Sequence, residues 1–360
     1  MLERVKFQDI KGWAEDSLAP ALAAFQRSAL EILANGQGFK REARLGGTRE
    51  DWLPICTAAL KATDARSFFE AHFSALRLHD AERPEGLFTG YYEPETQGSL
   101  KQSRNYPVPI YSKPEDLVTF SEEERTASGL SYGRRKNGKP VGYSTRKQIE
   151  EGALAGKGLE ICFVKSWVDA FFIHVQGSGR VVLDDGQVLR LSYAAKNGQN
   201  YTSIGGLLLA RGIGTPQTMS MQLLREWMAE NPPQMRELLW SNNSFVFFRV
   251  TEIEDQHLGA IGAAKVSLTP LRSLAVDRSN WMFGTPLFID TQAPPEAKNG
   301  PVPFRYLMIA QDTGTAIRGL IRGDVYWGWG ETAAHNAGHM KSRGAMTALL
   351  PKALTQRLAP

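Results

Sequence analysis

The sequence predicts a mainly β protein with N-terminal helices, β-barrel-like and interrupted by one insertion. Three observations carry this. Through the first eighty residues, apolar side chains recur at helical spacing. After Pro84, short runs of Val, Ile, Phe and Tyr alternate with clusters of Gly, Pro, Asn and Asp, the pattern of strands and turns. Only two helical intervals interrupt that β region, and there is no internal repeat. A chain of 360 residues allows one to three domains and a sizeable core.

The elements follow in order. Leu18, Leu22, Phe25, Ala29 and Leu33 mark a first helix, which Asn35-Gly36 ends as a C-cap would. A second starts at Thr48, with Asp51 as its capping-box partner, and carries Trp52, Ile55 and Leu60. A third starts near Asp64 and buries Phe68, Phe69 and Phe73. Strands are expected at Phe88 to Tyr92, Val108 to Tyr111, Ala170 to Gln176, Arg180 to Leu183 and Gln187 to Leu191. Asp184-Asp185-Gly186 is a hairpin signal between the last two. Thr145 with Gln148 opens a helix to Leu154. A helix pair spans about Ser203 to Trp240, broken at Gly212 to Pro216 and at Pro232-Pro233. Strands return at Phe245 to Val250, Ala264 to Leu268, Leu287 to Ile289, Tyr306 to Ala310 and Thr315 to Arg322.

Composition is that of a globular protein, 42% hydrophobic and 22% charged, with a net charge of only +4. The densest basic cluster, Arg134-Arg135-Lys136 with Lys139, reads as a solvated loop, so a nucleic-acid partner is not expected. Cys56 and Cys162 lie in apolar runs and read as two buried thiols. No run reaches the length of a membrane span. The chain opens Met-Leu-Glu-Arg-Val-Lys, without a signal-type apolar core; composition does not choose between a cytoplasmic protein and one whose export segment is missing from this sequence.

The richest chemistry lies near the end. Asp312 and Asp324, twelve positions apart, sit among glycines, β-formers and the aromatics Tyr326, Trp327 and Trp329. Acids supply proton chemistry, and aromatic faces support sugar rings. An aspartate lodged beside Val325, Tyr326 and Trp327 would be partly desolvated, raising its pKa toward that of a general acid. Asp277 and Asp290 read first as turn residues. Glu331, His335 and His339 share one helix face and could form a zinc site, although exposed helix histidines are commoner. Gly129-Leu130-Ser131-Tyr132-Gly133 matches the nucleophile-elbow pattern but lacks a strong preceding strand and a following helix. Gln176-Gly177-Ser178-Gly179-Arg180 lacks the following helix of a phosphate loop and reads as a tight turn. Lys196-Asn197-Gly198 and Asn242-Asn243-Ser244 read likewise as polar turns.

These segments together resemble the membrane-bound lytic murein transglycosylase A family. The resemblance runs through Phe88-Thr89-Gly90-Tyr91-Tyr92-Glu93-Pro94, Phe171 to Arg180, Tyr193 to Gly205, Asn243 to Phe248, Leu268-Thr269-Pro270, Val276-Asp277-Arg278-Ser279 and Gln311 to Gly330. It implies a main domain (1-95 and 246-360) carrying a double-psi β-barrel and a three-aspartate region at about 264-345. A smaller β-rich domain (96-245) is inserted, with a groove where the two meet. It further implies cleavage of the β-1,4 bond between N-acetylmuramic acid and N-acetylglucosamine in peptidoglycan, leaving a 1,6-anhydromuramoyl end. By motif position Asp324 corresponds to the single catalytic acid, with Asp312 and Asp277 supporting it. Tyr91, Tyr92, Gln176, Gly177, Ser178, Gly179 and Trp327 are the expected substrate-binding residues.

Neither metal nor organic cofactor is expected. The resemblance implies a periplasmic monomer on glycan strands, associated with the outer membrane when full length and able to join a cell-wall enzyme complex. Many relatives carry a cysteine near the position of Ala29; without it, Cys56 is expected to stay unpaired. The rival readings are a hydrolytic glycosidase using Asp324 and Asp312, a non-catalytic glycan-binding protein, and the zinc site.

Overall fold

The computed structural model describes residues 2–36, 39, 43–80, 85–215, 218–252, 255–294, 302–314 and 316–358. The chain divides into two compact units, residues 1–92 with 255–360, and residues 93–254 between them. Pro84, Pro216 and Thr315, which figured in the expected boundaries, lie outside the described residues.

The first unit begins with β1 (Leu2–Val5) and three helices, α1 (Ala19–Leu33), α2 (Arg49–Ala59) and α3 (Ala65–His72). All three follow the expected signals. Asn35 adopts a left-handed φ of 55° just past α1. The Asp51 carboxylate accepts from the Thr48 N–H at 2.8 Å, and Asp64 caps α3 by accepting from the Ser67 N–H at 3.2 Å. Phe25, Trp52, Phe68, Phe69 and Phe73 interlock beneath these helices, Phe25 meeting Phe73 edge-on at 5.8 Å. Two strands follow, β2 (Phe73–Leu78) and β3 (Gly86–Glu93).

The inserted unit holds β4 (Glu95–Ser99), β5 (Val108–Tyr111), β6 (Val118–Thr119), α4 (Glu122–Ser128), β7 (Tyr132–Lys136), β8 (Lys139–Val141), α5 (Arg146–Gln148) and β9 (Glu160–Val164). It continues through α6 (Trp167–Gln176), β10 (Ser178–Leu183), β11 (Val188–Lys196), α7 (Ile204–Ala210), α8 (Met221–Glu230), α9 (Pro232–Trp240) and β12 (Val246–Thr251). Six strands pair in the order β12-β11-β10-β4-β9-β5, and a parallel bridge between Ser112 and Phe248 closes them into a barrel. β12 is therefore hydrogen-bonded into the inserted unit's sheet.

The chain then returns to the first unit as β13 (Ser273–Val276), β14 (Pro286–Ala293), β15 (Val302–Asp312), β16 (Arg322–Trp329), α10 (Gly330–His339) and β17 (Lys341–Pro351). Here β17-β14-β15-β13-β16-β3 form a second closed ring of six strands, because β17 also pairs with β3. Leu274, Val276, Met308, Val325 and Ala348 fill its interior, while Leu307 and Ile309 face the helical layer. Asp16 and Arg272 form a buried bidentate pair at 2.7 and 2.9 Å, tying the entry to α1 to the barrel.

Five expectations are corrected. Ala170 to Gln176 is helical, within α6. An unbroken apolar run carries no readable period, and the deciding signals flank it. The Ser166 hydroxyl accepts from the Asp169 N–H at 3.1 Å, and Gly177 takes the left-handed C-cap at φ 75°. Ala264 to Leu268 is a turn, with Lys265 at φ 65° and the Gly262 N–H donating to the Val266 carbonyl at 2.9 Å. The described residues of Thr315 to Arg322 form turns until β16 begins at Arg322. The pair from Ser203 to Trp240 is three helices, because Pro232-Pro233 opens α9, where a missing N–H costs nothing. Arg134 to Pro140 is the β7–β8 hairpin. The elbow-like segment thus has a helix before it and a strand after, the reverse of the motif's order.

The inserted unit encloses a buried cluster. Arg146 donates to Nδ1 of His174 at 2.9 Å and to the Asn242 and Ser244 carbonyls at 3.1 and 2.7 Å, and it pairs with Glu150 at 3.3 Å. Asn197 bonds the Ser144 and Asn243 carbonyls and receives the Phe245 N–H, each at 2.9 Å. These polar turn residues hold the fold together. Burial, and then the Arg146 charge, hold the His174 imidazole well below 6.5. The folded state therefore resists a proton that the unfolded chain accepts, so stability conferred here is present above about pH 6.5 and is lost as pH falls. His174→Gln is expected to flatten the fall in urea-unfolding free energy below that pH by up to about 1.4 kcal/mol per pH unit. An unchanged slope would contradict this.

Candidate active site

The two aspartates are brought together by strand register. On β13, Ala275 lies opposite Asp324 of β16 on one side and opposite Asp312 of β15 on the other. With strands about 4.8 Å apart, their Cα atoms lie about 10 Å from each other. Leu274, Val276 and Val325 point into the barrel, so alternation sends Ala275 and Asp324 to the opposite face.

Asp312 reaches that face through a β-bulge. The β13–β15 register jumps from Leu274↔Ala310 to Ala275↔Asp312, leaving Gln311 as the extra residue. Without it, Asp312 would follow Ala310 into the interior. Buried Gln311 is fixed by its own bonds: its amide donates to the Ala24 carbonyl at 2.8 Å and to the Ser28 hydroxyl at 2.9 Å, and it accepts from Ser273 at 2.5 Å.

On β3, Phe88 enters the core, and Thr89 and Tyr91 take the other face by the same alternation. Thr89 donates its hydroxyl to Asp324 Oδ1 and receives Nη2 of Arg322 at 2.8 Å. Tyr91 donates to Asp312 Oδ2 at 3.0 Å and packs on Tyr326 with ring centroids 5.2 Å apart. Gly90 between them has no room for a side chain, since a Cβ there would lie 2.6 Å from the Trp327 indole nitrogen and 2.7 Å from Ala337 Cα.

Both carboxylates are half-buried, surrounded by protein yet reachable. Burial pushes Asp324 above the ordinary carboxylate range, opposed by the Thr89 hydroxyl and Arg322 and reinforced by Asp312. Burial also raises Asp312, against the pull of the Ala263 and Thr313 N–H groups at 3.0 and 2.9 Å and of Tyr91. Tyr91 is itself raised well above 10 by burial, then by Asp312 and Asp324, so it is a neutral donor.

Asp277 has a different setting. It accepts from the Gly319 N–H at 2.8 Å, the Ser279 N–H at 2.9 Å and the Ser279 hydroxyl at 2.7 Å, and it lies 3.6 Å from Arg318. Burial alone would raise its carboxyl; those donors outweigh it and hold the group low. Asp277 thus pins the connection between β15 and β16. Trp327 points away from Asp324, its ring 5.7 Å from Phe304 and its indole N–H on the Met340 sulfur at 3.4 Å. Tyr92 is buried on the face opposite Tyr91.

In the inserted unit, Gln176, Gly177 and Ser178 are half-buried where α6 meets β10. The Gly177 N–H is used in capping, donating to Ile173 at 2.9 Å. Gly179 is a packing glycine, because a Cβ would lie 2.9 Å from the Ile173 side chain. Cys56 and Cys162 are free and buried, each thiol pushed up to about 12 by burial. His335 and His339 lie with ring centroids 4.3 Å apart, tilted by 39°, on α10, yet among the described residues no group of three or more His, Cys, Asp or Glu is placed to hold a metal ion. Nor is any described helix long and apolar enough to cross a membrane.

Thr89 and Arg322 are the site residues that sequence reasoning missed. The signal available was the i, i+2 spacing of Thr89 and Tyr91 on one strand.

Two closed six-stranded barrels, one bearing a half-buried aspartate pair in a glycine- and aromatic-rich wall, define a two-barrel β protein. The model of the MltA specific insert domain matches residues 87–249, and that of the 3D domain matches residues 272–350. The membrane-bound lytic murein transglycosylase A of Escherichia coli K12 is 33% identical over 292 residues, covering 79% of this chain and 72% of that protein. Its Vibrio cholerae counterpart is 34% identical over 262 residues; the match spans 72% of this chain and 63% of the relative's length. Among solved structures, a membrane-bound lytic murein transglycosylase from Agrobacterium tumefaciens superposes with a TM-score of 0.88 at 36% identity over 99% of both chains. E. coli MltA with bound chitohexaose gives 0.68 at 29% identity, over 93% of this chain and 90% of that one. The chain belongs to the membrane-bound lytic murein transglycosylase A family.

Proposed function

We propose that the protein cleaves the β-1,4 bond between N-acetylmuramic acid and N-acetylglucosamine in peptidoglycan, forming a 1,6-anhydromuramoyl end, with Asp324 as the single acid and base. The observation that carries this is the unequal state of the two carboxylates. Asp312 has Oδ1 taken by two backbone N–H groups and Oδ2 by Tyr91, so three donors engage it in structure. Among the described residues, Asp324 accepts a hydrogen bond only from Thr89, at Oδ1, which leaves Oδ2 for chemistry.

A hydrolase that uses paired carboxylates needs the second as nucleophile or base. A lyase does not. Protonated Asp324 donates to the glycosidic oxygen as the C1–O bond breaks. The resulting carboxylate then takes the proton of the muramoyl C6 hydroxyl as that oxygen bonds C1. The substrate supplies the nucleophile, so proximity replaces an ordered water. Asp312 holds Tyr91 and the Ala263 backbone in place beside the acid, and Asp277 supports the connection that links the two strands.

The glycan bound to the E. coli relative favours a polymeric sugar ligand for this chain. Tyr91, Tyr92 and Trp327 in the first unit, Tyr92 and Trp327 from behind the exposed face, and Gln176 to Gly179 in the inserted unit are each proposed to contribute to glycan binding. Double-psi connectivity of the main barrel and a glycan groove belong to the same reading. So do monomeric action without metal or organic cofactor, periplasmic location with outer-membrane association, and membership of a cell-wall enzyme complex.

Digestion of purified peptidoglycan with mass analysis of the muramoyl ends tests the proposal. Anhydro ends are expected. Reducing ends, one water heavier, would indicate hydrolysis, and binding without product would indicate a glycan-binding protein.

A further inference from the structure

We propose that Thr89, held by Arg322, is a positioning residue that keeps Asp324 Oδ1 an acceptor and so confines the catalytic proton to Oδ2. This rests on the reading of Asp324 as the acid. A guanidinium only donates, and a threonine hydroxyl carries one proton. Arg322 is itself anchored, Nη1 on the Gly323 carbonyl at 2.5 Å and Nη2 on Thr89 Oγ1 at 2.8 Å. With that lone pair occupied, the hydroxyl proton is directed to Asp324 Oδ1. A proton on Oδ1 would make the hydroxyl accept from two donors and strand its own hydrogen, a costly arrangement in a desolvated site. The acid form therefore carries its proton on Oδ2. The same oxygen gives the proton to the glycosidic oxygen and regains one from the C6 hydroxyl, so protons balance over the cycle.

Among the described residues, the charged and titratable groups facing Asp324 are Arg322 on its own strand, Asp312 on β15 and neutral Tyr91 on β3, with Tyr326 of β16 packed on Tyr91. Arg322 and the Thr89 hydroxyl favour the carboxylate, whereas Asp312 disfavours it. Activity needs the protonated form and declines as pH rises through the Asp324 pKa. Removing a donor to the carboxylate raises that pKa and moves the alkaline limb upward.

The test is the pH profile of kcat for anhydro-product release. In Thr89→Val and Arg322→Met the alkaline limb is expected to rise by about one pH unit. In both, kcat should fall about tenfold or more with KM held within about twofold. Thr89→Ser, which keeps the hydroxyl, should restore limb and rate. A wild-type limb in folded Thr89→Val, or failure of Thr89→Ser to rescue, overturns the proposal. A second measurement needs no Thr89 variant: the infrared difference spectrum of wild type minus Asp324→Asn at acidic pH. A carboxylic C=O stretch lowered by hydrogen bonding supports Oδ1 as acceptor, and a free-carbonyl stretch overturns it. Turnover by Asp324→Asn would defeat the reading of the site and this inference together. Inactive Asp324→Asn alongside an unmoved Thr89→Val limb defeats the positioning role alone.

Discussion

Asp324→Asn is expected to lower turnover of peptidoglycan by at least about ten-thousandfold while glycan binding survives. The substitution keeps shape and the acceptor oxygen facing Thr89 but removes the ionisable proton. Because one group serves both halves of the cycle, the protonation of the leaving oxygen and the activation of the C6 hydroxyl fail together. Asp312 offers no replacement, with both oxygens committed to Ala263, Thr313 and Tyr91. Co-sedimentation with insoluble peptidoglycan reads binding, and release of soluble anhydro-muropeptides reads turnover. Activity within about tenfold of wild type would remove Asp324 from its role and return the site to a two-carboxylate reading.

What could be read in the sequence, and what could not, divides along physical lines. Residue type and local spacing were readable: capped helices at Thr48 and Asp64, the hairpin at Asp184-Asp185-Gly186, and an acid beside aromatics at Asp324. Side-chain direction at Asp312 was not, because it turns on the single extra residue at Gln311, and a bulge leaves no mark in hydrophobic period. Thr89 did not stand out for a related reason. A threonine in a strand is an ordinary β-former, and only closure of the barrel sets β3 beside β16. Helix α6 was misread because its faces meet two different apolar clusters, Ile173 on the barrel side and Phe171 and Phe172 on the helical side. Burial all round erases the amphipathic signal that separates helix from strand.

Asp16→Ala is expected to destabilise the first unit by about 3–5 kcal/mol, the cost of breaking a buried ion pair by removing one partner. The carboxylate takes both terminal nitrogens of Arg272 and the Leu307 N–H at 2.8 Å, and neither side chain is appreciably exposed. Its loss strands a guanidinium whose remaining partners are the Leu307 and Ser17 carbonyls and the Tyr306 ring. Asp16→Asn, keeping an acceptor for the Leu307 N–H, should cost less. Urea unfolding followed by intrinsic fluorescence measures both, and a loss below about 1 kcal/mol in Asp16→Ala would show that water or repacking satisfies Arg272. The consequence for activity is indirect. Arg272 immediately precedes β13, and Leu307 lies on β15, the strand that ends at Asp312. The pair therefore clamps two strands of the wall that sets the acids either side of Ala275. Asp16→Ala should lower the temperature at which activity is lost and leave the muramoyl product unchanged, because nothing at Asp324 itself is altered.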